Sequence, residues 1–95
     1  MKLFKSIDTQ FEEIGFKKIK EDEYGVSYKR FNKQFKFTQV LDILHKSSGK
    51  HIVQSYDSSL TDTKNIGNTC VGLTMYEMKL CLKKMKQMGW KIKKF

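Results

Sequence analysis

The chain has 95 residues and a mass of 11.2 kDa, so it has room for one small domain and not for two. Hydrophobic residues make up 39% and aromatic residues 13% of it, which is enough for a core and excludes a disordered tail. No apolar run approaches the roughly 18 residues that a membrane helix needs, and the first residues lack the apolar stretch of a signal peptide. We therefore expect a soluble, cytoplasmic domain that does not bind a membrane.

The net charge is +9, from nineteen Lys and Arg residues against ten Asp and Glu residues. Arg30 is the only arginine, and Ala and Pro are absent, as expected of a gene with low GC content. Because bidentate recognition of phosphate or guanine favours arginine, this composition argues against sequence-specific reading of DNA. A basic protein still attracts polyanions through its summed field, so non-specific binding to nucleic acid stays an expectation.

Apolar residues at helical spacing predict a first helix over residues 3–14, followed by Gly15 as its end and Phe16 folding back on its last turn. The next segments alternate and predict strands at about 16–20, 24–31, 34–45 and 50–57. Short turns separate them, at residues 21–23, at Asn32-Lys33 and at residues 47–49, and short turns favour an antiparallel meander.

The aromatic residues of this predicted sheet allow two interpretations. They could stack on unpaired bases, or they could supply the face on which two apolar helices pack, and the core interpretation is favoured. The residues concerned are Tyr24, Tyr28, Phe35, Phe37 and Tyr56.

A second helix is predicted over residues 74–88, where Thr74 and Glu77 have the spacing of a capping box and Gly89 with Trp90 ends the helix. An arc of about 140° on this helix is apolar and is expected to face the core. It consists of Met75, Met78, Cys81, Leu82, Met85 and Met88. The polar residues 58–72 before it have no period and predict a loop, either a plain crossover or a functional segment.

The predicted fold is therefore α+β, with an N-terminal and a C-terminal helix packed on one face of a three- to four-stranded antiparallel β-meander, in a single domain over residues 1–95. The expected core is Leu3, Phe4, Ile7, Phe11, Ile14, Val26, Tyr28, Phe37, Leu41, Ile43, Ile52, Met78, Leu82, Met85 and Trp90.

The histidines and cysteines do not form a recognisable catalytic or metal motif. Cys70 and Cys81 are too far apart for a C-x-x-C pair, and a disulfide is not expected in a reducing cytoplasm. His45 and His51 flank the third turn. A two-residue turn puts them on opposite faces, whereas a longer loop could align them. In either case the sequence shows no third ligand for a metal. We expect no metal, no cofactor and no catalytic residue, and an enzymatic alternative would use the two histidines with Asp57.

Most of the net charge lies in the last eighteen residues, which hold seven lysines and no acid. Three of these lysines share one flank of the second helix within about 60°, and three more follow in the tail. They are Lys79, Lys83, Lys86, Lys91, Lys93 and Lys94. They form either a phosphate-binding surface or a solvated face. Tyr76 and Leu80 lie beside this flank, away from the methionine arc, and are candidates for binding a partner protein or a second copy.

The layout as a whole resembles small proteins of phages and prophages of low-GC Gram-positive bacteria. The features that carry the resemblance are Gly15-Phe16 after the first helix, the meander, the long loop, Gly72-Leu73-Thr74 with Glu77, and Gly89-Trp90. This resemblance implies an accessory role and no catalytic residues. Our first hypothesis is a non-enzymatic protein that binds a partner protein or itself through the C-terminal helix and the 58–72 loop. The alternative is a nucleic-acid-binding module that contacts phosphates through the C-terminal lysines.

Overall fold

The computed structural model describes residues 5–58 and 70–90. In chain order the elements are α1 (Ile7–Glu13), β1 (Lys17–Asp22), β2 (Gly25–Asn32), β3 (Phe37–Leu44), β4 (Ile52–Asp57) and α2 (Met75–Gln87). The strands pair antiparallel in the order β1-β2-β3-β4. Side chains of both helices pack into one core against one face of the sheet, here called the inner face. The predicted α+β architecture is thereby confirmed.

The end of α1 follows the predicted capping signal, whereas its start lies later than predicted, at a cap that the apolar spacing did not indicate. Ser6 caps α1, because its side-chain oxygen accepts the backbone N–H of Thr9 at 3.0 Å. The helix therefore begins at Ile7 and not at residue 3; Leu3 and Phe4 lie outside the described residues. At the other end Gly15 has φ +95°, and the Phe16 N–H reaches back to the Phe11 carbonyl at 3.0 Å.

The first two turns differ from the prediction, and in each of them a side chain accepts a backbone N–H. The acidic turn begins two residues later, since β1 extends through Asp22, whose carboxylate accepts the Tyr24 N–H at 2.8 Å. The β2–β3 turn is not the predicted two-residue turn. It spans residues 33–36, with the Asn32 side chain accepting the Phe35 N–H at 3.0 Å and Lys36 at φ 54°.

The core lies where the alternation of the strands predicts it. Val26, Tyr28, Leu41 and Ile43 are at most 1% exposed on the inner face. The Phe11 ring of α1 stacks on Tyr28 at 4.2 Å between centroids. The predicted core members Ile7, Ile14 and Trp90 pack against this core partly buried, and Phe37 is half-buried. Ile52 does not belong to it, since it is 43% exposed and lies on the opposite, outer face of the sheet.

The buried side of α2 is rotated by about 80° from the predicted arc. The residues it buries are Glu77, Leu80, Cys81, Lys84 and Met85. Met78 and Leu82, predicted to lie in the core, are each 53% exposed, whereas Leu80, predicted to lie away from the core-facing arc, is 0% exposed. These three predictions are wrong, because apolar spacing alone predicts the arc, whereas the buried side of α2 also contains two charges.

Both buried charges of α2 have partners on other elements. The Glu77 carboxylate pairs with Arg30 at 2.9 Å, and Lys84 pairs with Asp8 and Glu21, each at 3.1 Å. Buried charges are tolerated when they are paired and hydrogen-bonded, so these contacts fix which side of α2 faces the sheet. Arg30 also donates to the Ile14 carbonyl at 3.0 Å and to the Gln39 side chain at 2.9 Å. The single arginine is half-buried and is thus occupied by three partners within the protein.

Candidate functional site

The outward side of α2 carries an apolar stripe made of Met75, Met78 and Leu82. Their exposed fractions are 88%, 53% and 53%. Residues at positions i, i+3 and i+7 line up along one side of a helix, so the three side chains form a continuous strip. Exposed apolar strips of this kind mark interaction sites on soluble proteins.

A basic row, consisting of Lys79, Lys83 and Lys86, runs beside the apolar stripe. All three lysines are exposed, and their spacing places them on one flank as predicted. Glu77 is the one acid in the sequence of α2, and it is buried on the other side of the helix. The outward side of α2 therefore combines apolar and positive groups without a negative one. Lys91, Lys93 and Lys94 lie outside the described residues.

A groove of about 500 Å³ lies between the apolar stripe and β4. Its apolar lining includes Val53, Val71, Leu73, Met78 and Leu82. The segment that precedes α2 runs alongside β4 and forms one side of the groove. Its Val71 N–H donates to the Ser55 carbonyl at 2.9 Å, and Cys70 forms a β-bridge with Tyr56. The stripe and the groove together form one apolar surface bordered by lysines.

The two predicted partner-binding residues have different positions. Tyr76 is 47% exposed and lies beside the basic row, so it is accessible to a partner. Leu80 is fully buried among the core residues, and a partner cannot reach it in the folded chain. Of the predicted 58–72 loop, residues 59–69 lie outside the described residues.

His45 and His51 meet in a cluster with Trp90. The last β3–β4 pair is Leu44 with Ile52, so the loop is longer than the two-residue turn that would separate the histidines. Their ring centroids are 4.8 Å apart, and each lies within 4.9 Å of the Trp90 ring. The Lys46 N–H donates to His51 Nδ1 at 3.0 Å, so the remaining ring nitrogen of His51 carries the proton of its neutral form. Of the two alternatives left open by the sequence, the longer loop is the one that forms, and it brings the two rings together.

The geometry of this cluster suits side-chain packing better than binding of a metal ion. The two imidazole rings are tilted by only 27°, and nearly parallel rings direct their in-plane lone pairs side by side and not at one ion. Within residues 5–58 and 70–90 no group of three His, Cys, Asp or Glu side chains is placed to hold a metal. Asp57 is six residues along β4 from His51, roughly 20 Å away, so the residues of the enzymatic alternative are not brought together.

The two cysteines differ in accessibility. Cys70 is exposed, whereas Cys81 is 1% exposed in the core. Burial, reinforced by the nearby Glu77 carboxylate, raises the pKa of the Cys81 thiol to about 12. A thiol held neutral in this way is a poor nucleophile, so Cys81 acts as a small apolar core residue.

The outer face of the sheet carries a second group of exposed lysines. Lys17, Lys20 and Lys29 all lie on this face, since Lys17 pairs with Lys29 and Lys20 pairs with Ser27. Phe31, 57% exposed, follows on the same face of β2. The alternation of residues 25–32 is the sequence signal that places Lys29 and Phe31 on one face, opposite the core residues.

A hydrogen-bonded carboxylate lies at the centre of the same face. Asp42, 9% exposed, accepts hydrogen bonds from Ser27 at 2.6 Å, from Tyr56 at 3.0 Å and from Gln54 at 3.1 Å. Burial and the bond to Asp42 raise the pKa of Tyr56. The three donors compensate the Asp42 charge and fix a polar floor on the outer face.

No helix among the described residues is long and apolar enough to cross a membrane. Comparisons with protein families, with curated proteins and with solved structures find no match to this chain.

Proposed function

We propose that this chain is a non-enzymatic accessory protein that docks an acidic, amphipathic segment of a partner protein against the outward side of α2. The observation that carries the proposal is the apolar stripe of Met75, Met78 and Leu82, exposed beside the basic row. The small accessory proteins of phages and prophages that the sequence layout resembles are the context in which we place this role.

The apolar stripe and the groove supply the energy of such docking. Burial of exposed apolar surface contributes roughly 25 cal/mol per Å², and methionine side chains adapt to irregular partner surfaces. The groove continues the stripe towards Val53 and Leu73, which gives a docked helix or strand one contiguous apolar seat. Apolar anchors in a pocket with a charged rim are the usual arrangement of a binding hot spot.

The charge of this surface selects the chemistry of the partner. Lys79, Lys83 and Lys86 border the stripe, and Glu77 is turned inward, so carboxylates on the partner meet only positive groups along α2. A second copy of this chain is a poorer partner, because a two-fold contact through α2 brings the two basic rows together. An acidic segment gains apolar contact and charge complementarity at the same time.

The test is fluorescence anisotropy with a labelled synthetic helix that carries leucine on one face and glutamate on the other. The Met78→Gln, Leu82→Gln double variant removes apolar contact from residues that are already half exposed, so it keeps the fold. We expect it to weaken binding about tenfold. Phe35→Gln is the matched control, since Phe35 is 68% exposed and lines neither the apolar stripe nor the groove, and it should bind like the wild type.

The second candidate function, phosphate binding by the basic row, is separated by the same variants. The Lys79→Gln, Lys83→Gln, Lys86→Gln triple variant weakens both kinds of binding, whereas the double variant weakens only docking of the acidic helix. DNA binding that falls steeply between about 50 and 200 mM salt and ignores the double variant would favour phosphate contacts. Absence of acidic-helix binding by the wild type, or equal binding by the double variant, overturns the docking proposal.

A further inference from the structure

The outer face of the sheet places two lysines directly opposite each other. Lys17 on β1 and Lys29 on β2 are register partners, and Lys20 is two rows away on the same face, opposite Ser27. All three are exposed, and within the described ranges none of them takes part in an ion pair. Like charges on directly opposed residues destabilise a sheet, so this arrangement costs stability in the free protein.

Protection of a sheet edge does not explain these lysines. Lysines on an edge strand discourage edge-to-edge pairing, and Lys17 and Lys20 lie on the edge strand β1. Lys29, however, lies on β2, which is paired on both sides. A negatively charged ligand over the outer face would attract both ammonium groups and offset the repulsion between Lys17 and Lys29.

Aromatic side chains stand beside the lysines on this face. A groove of about 290 Å³ is lined by Gly15, Lys17, Lys29, Arg30, Phe31 and Thr38. A second groove of about 490 Å³ is lined by residues that include Ile19, Lys20, Tyr24 and Tyr56. Tyr24 is 70% and Phe31 57% exposed, and both helices lie on the inner face, so the described elements leave these rings open to a ligand.

The second groove also has the polar floor built around Asp42. Asp42, Ser27 and Tyr56 all line it, and their hydrogen bonds hold hydroxyl and carboxylate oxygens in fixed positions. Ser27 and Tyr56 donate their hydroxyl protons to Asp42, so the floor offers acceptor oxygens to amino groups on the edge of a flat ligand. The faces of such a ligand contact tyrosine. A nucleobase is a ligand of this kind, because it has polar groups on its edge and flat faces that stack on aromatic rings.

We propose that the outer face of the sheet binds single-stranded nucleic acid. Lys17, Lys20 and Lys29 contact its phosphates, and unpaired bases lie in the two grooves against Phe31 and Tyr24. Stacking on open aromatic rings needs bases that are not paired, so a duplex of the same sequence binds more weakly. The contacts do not read a sequence, because the one arginine is committed to Glu77 and Gln39. This site is separate from α2 and does not depend on the docking proposal.

The test compares two variants that lose the same charge from different surfaces. One carries Lys17→Gln, Lys20→Gln and Lys29→Gln, and the other carries Lys79→Gln, Lys83→Gln and Lys86→Gln. Anisotropy with labelled single-stranded RNA and DNA oligonucleotides is measured over a series of salt concentrations. We expect the sheet variant to bind at least about tenfold more weakly than the α2 variant and to lose about 2 from the slope of log K against log salt.

The aromatic contacts are tested by Tyr24→Ser and Phe31→Ser, both at exposed positions. Stacking on a base is worth about 1–3 kcal/mol, so each variant should weaken single-strand binding at least about fivefold and leave duplex binding unchanged. The Phe35→Ser variant removes an equally exposed phenylalanine outside both grooves and should bind as the wild type does.

Three results would overturn the proposal. Equal losses in the two lysine variants would mean that net charge alone attracts the oligonucleotide. A loss confined to the α2 variant would place the phosphates on the basic row. Duplex binding as tight as single-strand binding would exclude base stacking. Circular dichroism and urea unfolding of each variant establish that it is folded before binding is compared.

Discussion

The Lys84 ammonium lies 3.1 Å from Asp8 Oδ1, and this contact joins α2 to the first turn of α1 across 76 residues of sequence. The Lys84 side chain is only 4% exposed. Asp8 also accepts hydrogen bonds from Tyr28 at 2.7 Å and from Lys18 at 2.9 Å. One carboxylate therefore connects both helices to the first two strands of the sheet.

Replacement of Asp8 by Asn should destabilise the fold. The substitution leaves the buried Lys84 charge with Glu21 as its remaining acidic partner and weakens the bond to Tyr28, so we expect a loss of about 1–3 kcal/mol in the free energy of unfolding. Urea unfolding measures it. Lys5→Gln is the control, since its pair with Glu13 is exposed and should contribute less than about 1 kcal/mol.

Replacement of Lys84 by Met should cost much less than replacement of Asp8. Methionine keeps the length of the side chain and removes the buried charge. Asp8 keeps its hydrogen bonds from Tyr28 and Lys18, and its side chain is 34% exposed to water. We expect the urea midpoint of Lys84→Met to stay near or above that of the wild type. A loss larger than that of Asp8→Asn would contradict this account of the pair.

Stability should fall in acid because of Asp8. Burial by itself raises the pKa of this carboxyl, but hydrogen bonds from Tyr28, Lys18 and Lys84 outweigh it and lower the pKa to about 2 from the ordinary 3.8. The unfolded chain takes up this proton first, so the stabilisation is complete at neutral pH and is lost as the pH falls from near 4 towards 2. Lys18 and Lys84 lower the pKa of Glu21, so protonation of Glu21 in acid also reduces the stability of the fold.

Urea midpoints measured between pH 6 and pH 2 test this prediction. The wild type should lose stability progressively below about pH 5, and Asp8→Asn should show a distinctly flatter dependence, because it has no proton to take up at this position. An Asp8→Asn variant that loses as much stability in acid as the wild type would show that other carboxylates determine the acid response.

Two leucines of α2 provide a direct test of which side of the helix is buried. Leu80 is 0% exposed and Leu82 is 53% exposed. Leu80→Ala should cost about 2–5 kcal/mol, whereas Leu82→Ala should cost less than about 1 kcal/mol. Chemical denaturation of the two variants decides the matter. The reverse order would restore the arc that apolar residues alone predict.

The cysteines should react with a thiol reagent one at a time. Cys70 is exposed and should be modified in the native protein, whereas the buried Cys81, with its pKa raised to about 12, should react only after unfolding. A chromogenic disulfide reagent should therefore titrate one thiol in buffer and two in denaturant. Rapid native reaction of both thiols would mean that α2 leaves the sheet readily.

The order of the elements and the capping of the helices could be read from the sequence. Thr74 and Glu77 do exchange the hydrogen bonds of a capping box, at 2.9 and 3.1 Å. Gly89 has φ +79°, and the Trp90 N–H returns to the Met85 carbonyl at 3.0 Å, as the predicted helix end requires. These contacts join residues a few positions apart, so local sequence is sufficient to specify them.

The candidate surfaces could be read only in part. The spacing of Lys79, Lys83 and Lys86 predicted one exposed flank, because neighbours on a helix follow from its period. The same period placed Met78 and Leu82 in the core and Leu80 outside, which is wrong, since the buried side also holds Glu77 and Lys84. Helical spacing measures apolarity and does not reveal which charges have a partner elsewhere.

The sequence by itself determined the meander, the caps and the distribution of charge along the chain, since each depends on hydrogen bonds and alternation within a short segment. Tertiary structure alone decided three relationships between distant residues. These are the ion pair of Lys84 with Asp8, which fixes the buried side of α2, the stacking of His45 on His51, and the position of Lys17 opposite Lys29. Strand register, loop length and long-range ion pairs determine these contacts, and all three depend on where the rest of the chain packs.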